Sequence, residues 1–170
     1  MSDGMEFGAA VVLAVVFALA GAAKLRRPAV TARSFADLGL PAARELAVAV
    51  PIVELALAVG LVVVPPVAAA LALLLLLAFT VVLIAAIRSG RGQAGCGCLG
   101  SARTDPVSTV EIIRNGMLAA AAVVAMGASG PMAPGLGDVI AVTTAALVAL
   151  LVLALADMRR STGRLWGTTP

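Results

Sequence analysis

Apolar runs about twenty residues long set the terms for this chain. They lie at residues 6–25, 45–64, 67–87, 110–128 and 138–156. A helix rising about 1.5 Å per residue needs roughly 20 such residues to cross a hydrocarbon core about 30 Å thick. A soluble domain has no interior for five of them. Of the 170 residues, 62% are hydrophobic and only 12% charged, against about one half and one quarter in ordinary globular chains. The expected fold class is therefore all-α: an integral membrane helical bundle, residues 1–170 forming one membrane domain with the lipid bilayer as its solvent. An outer-membrane barrel is excluded. Aromatics make up 3%, with no Tyr and one Trp, so there is no aromatic girdle, and no run alternates apolar with polar residues.

Between the runs the punctuation is sparse. Only Pro65-Pro66 splits the second run from the third, which reads as a hairpin at the membrane face. The fourth run is the least apolar, because Glu111, Arg114 and Asn115 crowd its start. Ser108 and Asp138 stand where helix N-caps belong, and Ser108-x-x-Glu111 has capping-box spacing. The opening "MSDGMEFGAAVV" has no basic segment ahead of its apolar run, so it reads as a retained helix rather than a cleaved signal peptide.

The twelve cations decide orientation. Lys24, Arg26, Arg27, Arg33 and Arg44 flank the first long loop; Arg88, Arg91, Arg103 and Arg114 flank the second; Arg159, Arg160 and Arg164 follow the last run. With five spans all of them fall on one side, which the positive-inside rule makes cytoplasmic. The N-terminus is then outside, with the C-terminus and the second long loop inside. The net charge of +3 follows from this arrangement and calls for no nucleic acid.

Residues able to do chemistry are few. There is no histidine, hence no imidazole base or metal ligand. Both cysteines, Cys96 and Cys98, lie one residue apart in "GQAGCGCLG" within the second loop. Two thiols so placed can attack and resolve the same mixed disulfide, and a strained ring between them belongs to the labile, oxidising kind. Arg91, Arg103 and the start of the fourth helix favour a thiolate. A zinc site wants four ligands, which one chain does not supply, so no metal is expected. The plainer alternative is two small residues in a glycine-rich turn.

Glu54 lies near the middle of the second span, three residues after Pro51. An ionisable side chain at that depth is costly and usually faces a bundle interior or cavity. It reads either as a proton relay or ligand contact, or as a structural glutamate neutralised by a proton or by Lys24. Lys24 itself, closing Gly21-Ala-Ala-Lys24, is expected to snorkel to the cytoplasmic interface. Asn115 is a candidate for a hydrogen bond between helices. Small residues four apart, Ala10, Ala14, Ala18 and Ala22, or Ala56 and Gly60, allow close helix approach. No phosphate loop, nucleophile–base pair or nucleotide fingerprint is present.

Three landmarks in order across the first hundred residues carry a resemblance. A first helix ending "AGAAKLRRP", a second carrying "VPIVELALAVGL" and a "CGCLG" loop after the third resemble the MauE proteins of methylamine utilisation, within the wider DoxX-like grouping of membrane proteins. Leu99 stands where that family usually has an aromatic residue. DoxX-like relatives have four spans, which makes residues 6–128 the core and the fifth helix an addition. The resemblance implies a multi-pass membrane protein acting with a thioredoxin-like partner, in the namesake system for maturation of a disulfide-rich periplasmic enzyme subunit. Cys96 and Cys98 would be its redox pair, and Lys24 and Glu54 its matching intramembrane polar residues. A cytoplasmic cysteine loop stands apart from periplasmic clients. Either electrons cross through a membrane quinone or a partner, or the loop dips into the bundle. The expected function is thus a membrane thiol–disulfide oxidoreductase. The alternatives are a non-catalytic docking subunit or maturation chaperone, and a small transporter resting on Glu54. Oligomeric state is left open.

Overall fold

The computed structural model describes residues 2–90 and 109–128. Cys96, Cys98, Leu99, the caps at Ser108 and Asp138, and the fifth run at 138–156 lie outside the described residues. The described chain is helical throughout, without a strand. Its helices are α1 (Ser2–Arg26), α2 (Pro28–Asp37), α3 (Ala43–Val63), α4 (Pro65–Arg88) and α5 (Thr109–Ala125). Three of them, α1 from Gly4 onward, α3 and α4, are long and apolar enough to cross a membrane. At 17 residues, α5 sits at the short limit of spanning length.

The four long helices close into a ring. α1 packs on α3, α3 on α4, α4 on α5, and α5 back on α1. Small residues hold them near one another: Ala10, Ala14, Ala58, Ala69, Ala72 and Ala122 are buried in one core with Leu13, Phe17, Leu61 and Leu76. In lipid no hydrophobic force pulls helices together, so close van der Waals packing of this kind does the work. The large apolar side chains turn outward instead, with Val59, Val63, Leu74, Val81, Ile113 and Val123 exposed. That is the lipid-facing surface expected of a membrane bundle.

The small-residue rows fall differently from the strict four-residue spacing. On α1 the inward stripe is Ala10, Ala14, Phe17, Gly21 and Lys24, while Ala18 and Ala22 turn partly away. Steps of four rotate about 40° past a full turn at 100° per residue, so they leave the contact, whereas alternating steps of four and three stay on it. On α3, Ala56 is exposed, and only Gly60 closes on a neighbour, the Ala68 side chain of α4.

The first long loop holds a helix that the sequence reading did not expect. In α2, Pro28 occupies the first turn, where its missing N–H costs nothing. Thr31 and Phe35 of α2, and Leu38 just after it, are buried; the last two pack with Leu83 and Ala86 of α4. Arg27, Arg33 and Asp37 are exposed. The helix stops in a Schellman turn: Leu40 N–H donates to the Phe35 carbonyl and Gly39 N–H to that of Ala36, with Gly39 at φ 82° where glycine is favoured. Ala42, at φ 53°, then turns the chain into α3.

Val64 alone separates α3 from α4, the tight reversal expected at Pro65-Pro66. At the other side of the ring a Cβ on Gly127, just past α5, would lie 2.9 Å from the Glu6 carboxylate near the start of α1, so α5 runs antiparallel to α1. Lys24, Arg26, Arg27, Arg33, Arg44, Arg88 and Arg114 therefore gather toward one end of the bundle. Among the described residues the opposite end has no Lys or Arg.

Candidate functional site

The charged centre of the bundle is built where α1 crosses α3. Pro51 sits inside α3 and has no N–H to give the carbonyl four residues back. Facing it, Gly21 of α1 comes so close that an added Cβ would meet the Pro51 carbonyl oxygen at 2.9 Å and Glu54 Cβ at 3.3 Å. Lys24 follows one turn later on the same face. Helical side chains lean back toward the N-terminus of their helix, which carries the ammonium up into the crossing. There Lys24 Nζ donates to Glu54 Oε1 at 2.5 Å.

The pair is sealed from the surroundings. Lys24 is 2% exposed and Glu54 3%. The Phe79 ring of α4 lies with its centroid 5.7 Å from Lys24 Nζ, within reach of a cation–π attraction. The expected snorkelling of Lys24 is thus corrected: a carboxylate thirty residues later draws the ammonium inward. Glu54, in turn, is a paired glutamate rather than a lone one. Its second oxygen, Oε2, is buried and has no hydrogen-bond partner among the described residues.

Two polar contacts fix the elements around this pair. Thr31 Oγ1 donates to the Arg27 carbonyl at 3.2 Å and reaches that of Lys24 at 3.4 Å, tying α2 to the end of α1, whose last carbonyls have no partner within their own helix. On the far side, Asn115 Nδ2 of α5 donates to Thr80 Oγ1 of α4 at 3.3 Å, while that hydroxyl donates to the Leu76 carbonyl at 2.8 Å. This is the helix-to-helix hydrogen bond that Asn115 was expected to make. Glu111, one turn before it, is buried as well.

Of the residues singled out in the sequence, the structure brings Lys24 and Glu54 together. It adds Phe79 and Thr31, which no sequence motif marks, and gives Gly21, which opens the Gly21-Ala-Ala-Lys24 stretch, its place at the crossing. Cys96 and Cys98 belong to the segment between Gly90 and Thr109, outside the described residues. Among the described residues no group of acidic or cysteine side chains is arranged to hold a metal ion.

Comparison with known proteins bears on the ring as a whole. The family described as Methylamine utilisation protein MauE matches residues 4–128, which takes in α1 to α5. The Methylamine utilization protein MauE of Paracoccus denitrificans is 35% identical over 115 residues, or 65% of this chain and 62% of that protein; the match thus spans less than two thirds of the relative's length. No solved structure gives a significant match. A profile covering all five described helices, joined to an all-helical bundle with lipid-facing flanks, places this chain in the MauE family of membrane proteins.

Proposed function

We propose that the chain is a membrane thiol–disulfide oxidoreductase of MauE type, exchanging two electrons between Cys96–Cys98 and a thioredoxin-like partner. The observation that carries this reading is where the chain's only two thiols fall: both lie between α4 and α5. Those helices are antiparallel neighbours, joined by the Asn115–Thr80 hydrogen bond. The stems of the cysteine segment, Gly90 and Thr109, thus belong to one end of the bundle, the end rich in arginine. A thiolate of the partner attacks the Cys96–Cys98 disulfide, and the partner's second thiol resolves the mixed disulfide. The partner leaves oxidised, and this chain holds the dithiol. Glycines at 95, 97 and 100 give the backbone freedom for both redox states.

The arginine-rich end is the cytoplasmic one in this reading, by the positive-inside rule. The relative's name points to methylamine utilisation, and maturation of an extracytoplasmic enzyme is the process proposed for this chain. Alkylation-shift trapping in membranes under oxidising and reducing poise tests the thiol chemistry directly. Both thiols should be blocked under oxidising poise, and Cys96→Ser or Cys98→Ser should trap a mixed disulfide with a thioredoxin-like protein. Thiols that stay fully alkylatable, with full function in the double serine variant, would sink the reading.

One observation favours a second reading. Arg27 and Arg33 are exposed beside the outer face of α2, a surface suited to an acidic partner, so a docking subunit with dispensable cysteines is the alternative. The transporter reading is weakened, because Glu54 is paired with Lys24.

A further inference from the structure

The arginine-rich end of the bundle carries charge that nothing within it answers. Arg26 closes α1, Arg44 stands in the first turn of α3, and Arg88 closes α4. All three are exposed, and among the described residues none of them forms an ion pair. With Arg27 and Arg33, this end exposes five arginines among the described residues, against two acids, Asp37 and Glu45. The three helices are neighbours in the ring, so Arg26, Arg44 and Arg88 mark one rim of it. On each helix the surface running inward from the arginine is apolar. Leu19 lies two turns before Arg26, Val48 and Ile52 one and two turns after Arg44, and Val81 two turns before Arg88, and all four are exposed. Seven residues rise about 10.5 Å and return to nearly the same side of a helix. Each arginine therefore caps a lipid-facing strip at its edge.

We infer that Arg26, Arg44 and Arg88 form a binding surface for anionic phospholipid, headgroup phosphate on the guanidinium and acyl chains along the strip beneath. A guanidinium holds its N–H donors in a planar fork that matches phosphate oxygens. A zwitterionic headgroup brings its own cation to that fork, whereas an anionic one brings net negative charge, so the surface selects the anionic lipid. An acidic protein meets the charges but not the strips, which lie at bilayer depth. A dissolved anion meets one arginine and leaves the strips without a role. Only an amphiphile fits both parts. Arg33 differs from these three. It stands on α2, whose apolar residue Phe35 is packed with Leu83 and Ala86 of α4, and no large apolar residue of α2 is exposed beside it. The surface uses neither cysteine, and it stands whether or not the thiols cycle.

The test uses the full-length protein in phosphatidylcholine vesicles, with spin-labelled phosphatidylglycerol or spin-labelled phosphatidylcholine as the probe. The motionally restricted fraction of each label reads its association with the protein surface. Phosphatidylglycerol should be preferred by up to about fivefold, the factor equivalent to about 1 kcal/mol for a cation beside an anionic headgroup. The preference should fall at about 1 M salt, where the Debye length is about 3 Å. In the Arg26→Gln/Arg44→Gln/Arg88→Gln variant it should drop close to one, while Arg33→Gln should keep the preference of the parent. A parent without preference overturns the proposal, and is the outcome expected if the rim serves an acidic protein instead. A folded triple variant that retains the preference overturns it too, as does an equal loss in Arg33→Gln, which would trace the effect to charge at large. Should the triple variant fail to fold, the three single variants decide: each should lower the preference, and three unchanged values overturn the assignment.

Discussion

Gly21 is the residue on which the crossing of α1 and α3 depends, and alanine there is an informative change. The new Cβ would stand 2.9 Å from the Pro51 carbonyl oxygen, 3.0 Å from Leu55 Cγ and 3.3 Å from Glu54 Cβ. Leu55 can change rotamer. The Pro51 oxygen belongs to helix backbone and cannot, so the two helices must part. Overpacking of this kind costs about 1–3 kcal/mol. Against it stands the gain of alanine over glycine in a helix, about 1 kcal/mol in water. Gly8 and Gly116 provide the internal standard, since a Cβ at either meets nothing within 4 Å and should collect the gain alone. The difference between Gly21→Ala and Gly8→Ala should therefore be about 1–3 kcal/mol, or roughly 5- to 150-fold in the unfolding equilibrium. Mixed-micelle unfolding with increasing dodecyl sulfate, followed by helical circular dichroism, reads this difference directly. Equal stability of the two alanine variants would refute the close crossing, and with it the geometry that brings Lys24 to Glu54.

Other outcomes follow from the same contacts. Lys24→Met alone should destabilise by about 3–5 kcal/mol, because it strands a buried carboxylate, whereas Lys24→Met with Glu54→Leu should recover most of that loss; additive effects in the same unfolding assay would show the pair to be uncoupled. Thr80→Val removes the acceptor of Asn115 and should cost about 0.6 kcal/mol, the average for polar contacts between membrane helices, with no added loss when Asn115→Ala is combined with it. Alkaline phosphatase fused after Gly90, at the arginine-rich end, should be inactive, and fused after Val64 it should be active. The opposite pattern would invert the proposed orientation.

The membrane spans were legible because length and apolarity suffice to define them: α1, α3 and α4 follow the apolar runs to within a few residues. α2 was missed for a different reason. Its buried face is only Thr31, Phe35 and Leu38, too short to register as an apolar run between five cations. Yet Pro28 at its start and Gly39 just past its end are the ordinary start and stop signals of a helix, so the information was present. The Lys24–Glu54 pair was visible as two polar residues and open as a pairing. What decided it was rotational phase. Gly21, Lys24, Pro51 and Glu54 face one another only when α1 and α3 cross at Gly21, and spacing within one helix does not reveal that. Phe79 carried no signal at all, being one apolar residue in a run of them.

The single residue Val64 between α3 and α4 bears on how the chain is made. Two spans joined so tightly must pass from the insertion machinery into the bilayer as one hairpin, with no loop to let the first wait apart from the second. Glu54 therefore enters lipid on a segment that cannot pause. Its counter-charge is already in place, because Lys24 lies on α1, synthesised some thirty residues earlier. An isolated lysine or acidic residue at the centre of a span costs about 2.5–3.5 kcal/mol on insertion scales. Chain order thus turns two separate penalties into a docking event: α1 waits at the exit with a charge, and the α3–α4 hairpin arrives carrying its match.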